Sequence, residues 1–174
     1  MATGNVILPV GAARPPDGTT SNLAPAITAV KGSATAPTPY YMQAGFDASQ
    51  TEQLVWSFPV PVNYASGPEL HLQWKAAATT GNVRWEGRLA AYTPGTDSTD
   101  FAAKAFAAAN NVTTAAGATT AGRLVESVIT LTNADSVAAG DTLVVYLARL
   151  GADAADTMSG DAQVVAVTFQ YTTT

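Results

Sequence analysis

The chain has 174 residues, a net charge of −5 and no cysteine, which is length enough for one sizeable core with an extension. The acidic balance excludes recognition of nucleic acid through a broad basic patch, and the lack of cysteine excludes disulfides and thiolate metal sites. Only 12% of residues are charged, about half the usual share; alanine, threonine and glycine fill the difference, which suits a surface covered by something.

Residues 1–38 carry Pro9, Pro15, Pro16, Pro25 and Pro37 with Gly4, Gly11, Gly18 and Gly32. Neither the helical nor the strand period persists in them. They read as an extended N-terminal arm ahead of a body at 39–174, with small apolar anchors at Val6, Ile7, Leu8, Leu23, Ile27 and Val30. The composition fits a flexible tail as well. Pro9 breaks the first apolar run, which has no basic flank and makes a poor secretory signal. No run approaches the ~18 apolar residues of a membrane span.

The body reads as strands. "YYMQAGF" and "EQLVWSFPVPV" come first, the second pushed to an edge or ended by Pro59 and Pro61. In "GPELHLQWKA", Leu70, Leu72, Trp74 and Ala76 alternate with Glu69, His71, Gln73 and Lys75, one face apolar and one polar. After the turn "TTGN", "VRWEGRLAAY" alternates in the same way, and the two predict a hairpin. "FAAKAFAAAN" fits either a short helix, which alanine favours, or an irregular segment. "NNVTTAAGATTAG" predicts a weak strand and a turn; "RLVESVITLTN", "TLVVYLARL" and "AQVVAVTFQYT" predict three more strands. About eight short strands with turn signals between them predict an all-β, antiparallel, two-sheet sandwich of jelly-roll type.

Chemistry is sparse in this sequence. The one histidine, His71, sits on a polar strand face without a nucleophile motif beside it. Asp153, Asp156 and Asp161 offer oxygen to calcium, yet their spacing is not that of an EF-hand; they read as a solvated acidic loop, as do Asp97 and Asp100. Trp56, Trp74 and Trp85 would make a sugar-stacking platform if exposed, but Trp74 and Trp85 fall on apolar faces and read as core. Tyr40, Tyr41 and Tyr92 are less settled. Asn111-Val112-Thr113 is a formal glycosylation sequon. No cofactor is expected.

The stretch "FDASQTEQLVWSFPVPVNYASGPELHLQWKAAATTGNVRWEGRLAAY", with "AGDTLVVYLARL" and "GDAQVVAVTFQYT" after it, resembles small β-sandwich virion proteins of tailed bacteriophages over about residues 45–172. The resemblance implies a head-decoration or tail-associated structural role and carries over no catalytic residue. Low charge suits packing against identical neighbours, and an arm suits a cement protein that lays a strap across capsomers. The expectation is therefore a non-enzymatic capsid decoration protein, made in the host cytoplasm and carried on the virion surface. Its partners would be the major capsid protein and neighbouring copies, as a trimer. The alternative is a tail-associated carbohydrate- or receptor-binding sandwich, which would expose aromatic rings near Tyr40, Tyr41 or Tyr92.

Overall fold

Alternation of apolar and polar side chains gives most strands of this chain one face to bury, and two sheets facing each other bury them together. The computed structural model describes residues 2–98, 100–117 and 120–174. Ten strands are present among them: β1 (Thr3–Ile7), β2 (Ala26–Lys31), β3 (Tyr40–Phe46), β4 (Thr51–Pro59), β5 (Tyr64–Ala76), β6 (Asn82–Tyr92), β7 (Asn110–Ala115), β8 (Leu124–Thr130), β9 (Thr142–Leu150) and β10 (Ala162–Thr173). The eight body strands are divided between two sheets, and consecutive strands change sheet except at β6 and β7. β3, β10, β5 and β8 lie side by side in one, and β4, β9, β6 and β7 in the other, all antiparallel. This is the jelly-roll order. Part of the turn expected after β7 falls on residues 118 and 119, outside the described residues. "FAAKAFAAAN" is a turn followed by irregular chain, not a helix.

The predicted hairpin of β5 and β6 does not form. β5 pairs with β10 and β8, whereas β6 pairs with β9 and β7 in the other sheet. The periodicity of each strand is as expected; what it could not specify is the sheet. Crossing over sets the two apolar faces against each other, with Trp74 edge-on to Trp85 at 5.8 Å and Phe46 edge-on to Trp85 at 5.3 Å. Trp74 and Trp85 are fully buried, so both are core residues.

Residues 2–38 wrap one flank of the sandwich. β1 pairs with the C-terminal part of β10, and the Leu8 N–H donates to Val167 O. The chain then turns through a short 3-10 segment at Val10–Ala12 and runs along the free edge of β4. Arg14 exchanges backbone hydrogen bonds with Val55, and Gln53 N–H donates to Leu23 O. From there it returns to the first sheet as β2, beside β3. Leu8 and Val10 are buried in the common core, and the Trp56 indole N–H donates to Pro9 O. Gly4 is required under Tyr171, because a Cβ there would stand 2.3 Å from the ring. The proline-rich stretch 13–26 is thus ordered by β4 of its own chain.

One end of the sandwich is tied by an arginine that no sequence pattern singled out. Arg149 lies on the inward face of β9, fully buried, with its carboxylate partner Asp156 equally buried. Its Nε and one terminal nitrogen bind Asp156 at 2.9 and 2.8 Å, and its remaining N–H groups reach the carbonyls of Phe46, Gly160 and Met158. All five guanidinium donors are thereby used. Asp156 also accepts the Arg84 backbone N–H, and Asp153 pairs with the Arg84 side chain at 3.2 Å. The expected solvated acidic loop is corrected here: two of its three aspartates are bound to arginines, and Asp161 alone is exposed.

Two carboxylates near Arg149, Asp156 and Glu52, offer stability tests. Asp156→Asn leaves a buried guanidinium without its counter-charge and should cost about 3–5 kcal/mol, measured as a lower denaturation midpoint at unchanged slope. Glu52, beside the arm, has its carboxyl held above the usual range by burial, with Asp47 and Asp161 adding to it. A raised folded value makes the charged form the destabilised one at neutral pH. Glu52→Gln keeps an acceptor for the Asp47 N–H and should raise the melting temperature at pH 7, with the gain vanishing as pH falls through the glutamate range.

Candidate functional site

The two outer sheet faces differ. The face of the β4–β9–β6–β7 sheet is covered by the chain between β6 and β7. Phe106 packs on Tyr146 at 5.4 Å, Phe101 lies 4.1 Å from Tyr92, and the Ala107 N–H donates to Leu89 O. Lys104 donates to the Ala91 carbonyl and pairs with Asp135 at 2.9 Å. On this face Arg88 bonds buried Glu86 at 2.6 Å, and burial together with the Glu86 carboxylate pushes the Tyr146 hydroxyl up to about 12.

The other outer face is open and bears a groove of roughly 820 Å³, within the size range of small-ligand clefts, about 300–1,000 Å³. It lies where β10 changes neighbour. β3 pairs with Ala162–Val164 and β1 with Thr168–Thr172, so the short stretch between them lacks a flanking strand on that edge. At the same place β10 carries a bulge against β5: Val164 faces Trp74 and Ala166 faces Gln73, leaving Val165 unpaired. Bulges of this kind re-aim side chains and gather near functional sites.

The groove combines apolar and hydrogen-bonding walls. Ile7, Val10, Met42 and Val165 give apolar surface, and Tyr41 gives an aromatic wall. The Tyr41 ring is fixed by Lys75, whose ammonium bonds the hydroxyl at 2.9 Å and lies 5.1 Å from the ring centre. The polar side consists of Asn5, His71, Gln73, Glu126, Thr168 and Gln170. His71 is set between two carboxylates, Nε2 at 3.2 Å from Glu69 and Nδ1 at 3.4 Å from Glu126. Neither neighbour is a nucleophilic hydroxyl, so the arrangement orients an imidazole rather than activating a nucleophile. Gln170 donates to Asn5 Oδ1 at 3.1 Å, tying the arm to β10 across the groove wall.

The residues singled out from sequence separate clearly. Tyr41 lines the groove, Tyr40 is 68% exposed on the same strand, and Tyr92 is buried under Phe101. Trp56 is buried against the arm. Of the arm anchors, Leu8 is spent in this chain's own core, with Val6 and Ile27 packed against that core. Leu23 bridges to Glu52, Val30 sits opposite Tyr41 in the β2–β3 ladder, and Ile7 is 74% exposed. The groove itself has no signature in the sequence. His71 and Gln73 were legible as outward residues, but their juxtaposition with Tyr41 and Asn5 depends on which strands flank β10.

The chain is an antiparallel β-sandwich with a cleft on one sheet. No family model matches it, and no curated protein matches it. Among solved structures, it is similar to the carbohydrate-binding module TmCBM61 in complex with β-1,4-galactotriose, at 11% identity and a TM-score of 0.41, over 97% of this chain and 87% of that one. It is similar also to a non-crystalline-cellulose-specific module, CBM28, at 9% identity and a TM-score of 0.44, over 91% and 84%. A carbohydrate-binding module of the β-sandwich superfamily matches at 9% identity and a TM-score of 0.41, over 95% of this chain and 55% of that one.

Proposed function

We propose that this protein is a non-catalytic carbohydrate-binding sandwich whose ligand lies in the groove between β3 and β1. The observation that carries the reading is the pairing of a braced aromatic wall, Tyr41, with amide, carboxylate and imidazole groups across the groove. A pyranose presents an apolar C–H face and a rim of hydroxyls. The first suits an aromatic ring, and the second suits side chains that both donate and accept. On the opposite sheet face the rings of Phe101 and Phe106 cover Tyr92 and Tyr146.

Capsid decoration, as a trimer bound to the major capsid protein, is the second reading. The arm's pairing with its own body accounts for its order without a partner. That reading therefore draws its support from exposed apolar side chains, Ile7, Tyr40 and Met42, and from the low charge. The two readings separate in solution: decoration expects a trimeric mass by light scattering, the binding module a monomer.

A glycan array followed by titration calorimetry tests the groove. Tyr41→Ala should weaken binding about tenfold or more, equivalent to about 1.4 kcal/mol, with the melting temperature of the free protein little changed. Binding unaffected by Tyr41→Ala would place the ligand elsewhere.

A further inference from the structure

The charge inventory of the groove deepens the carbohydrate reading, on which the inference rests, by narrowing the class of sugar. Of the residues that line it, only Glu126 and His71 are ionisable apart from the tyrosine, and no lysine or arginine is among them. The Glu126 side chain is 60% exposed, with one carboxylate oxygen turned to His71. Glu69 adds a second carboxylate on the other side of the same ring. Lys75, beside the groove's Tyr41, is engaged by that residue's hydroxyl and ring. Recognition of a carboxylate or sulfate calls for a guanidinium fork or an ammonium aimed into the site, and none is aimed here.

Neutral polar groups supply the rest. Gln73 is exposed in the groove, Gln170 and Asn5 form one wall, and Thr168 lies two residues along β10 from Gln170, opposite Ile7. Carboxylate and amide oxygens facing a ligand favour O–H donors and repel anions. We infer that the groove selects an uncharged glycan and discriminates against uronate or sulfated sugars, with Glu126 as the specificity determinant.

The test compares a matched pair that differs only at C6, cellotriose and β-1,4-triglucuronate, titrated into the full chain at low and moderate salt beside β-1,4-galactotriose and xylotriose as further neutral sugars. The expected result is binding of a neutral trisaccharide at least about tenfold tighter than the uronate, with the gap narrowing as salt screens it. Glu126→Gln should narrow the gap and Glu126→Lys should reverse it, each read as the ratio of neutral to uronate affinity within the same variant. Equal or tighter binding of triglucuronate by the wild-type protein would overturn the inference and leave the carbohydrate reading standing. An unchanged preference in both Glu126 variants would also overturn it. Failure of every sugar, neutral and charged, would remove the carbohydrate reading and this inference with it.

Discussion

Strand β10 has one edge to offer and two strands to fill it. β5 follows it along its whole length on one side, while β3 and β1 share the other, end to end. Between them the edge receives the Leu8 N–H at Val167, and the strand bulges at Val165. Most of what distinguishes this sandwich comes from that division. A backbone edge left open beyond Val164 would be an exposed template for pairing with other chains; β1 closes it from within the same chain. Because β1 and β3 do not meet, the closure leaves a break, and the break is the groove.

The same requirement organises the arm. To reach β10, then β4, then β3, residues 3–31 must cross the flank of the sandwich twice, and each crossing is anchored. Leu8 and Val10 enter the core on the first, and Leu23 meets Glu52 before the second. Prolines suit this path, since the chain between the anchors is extended and makes few ladder hydrogen bonds. Beside that second anchor, where Glu52 faces Arg149 in the β4–β9 ladder, the hold is ionic. There the Arg149 guanidinium joins the end of β3, the loop before β10 and, through Asp156, the backbone of β6. A buried ion pair of this kind specifies geometry more than it adds stability, and here it fixes how the two sheets meet.

Much of this was legible in the residues. The alternation in Glu69–Ala76 assigned His71 and Gln73 to the polar face and Trp74 to the core, and the structure agrees at each position. Pro59 and Pro61 marked β4 as an edge strand or as ending there, and β4 lies at the sheet edge and ends at Pro59. Periodicity identifies the face of a strand but not its neighbours, and for that reason β5 and β6 were expected to pair and do not. Arg149 reads as the polar position of an apolar strand, and only the carbonyls and carboxylate that surround it explain its burial. The groove was hidden for the same reason: Asn5, Tyr41, His71 and Gln170 are far apart in sequence, and their convergence is a property of sheet order.

The break between β3 and β1 is, in the function proposed for it, where this protein meets its ligand. Backbone amide shifts of the full chain, followed during titration with a neutral oligosaccharide, test that placement directly. Saturable changes should concentrate at Tyr41, His71, Gln73, Val165, Ala166 and Gln170, with the β4–β9–β6–β7 sheet unmoved. Changes centred on that other sheet, or on the 93–109 chain that covers it, would contradict the placement.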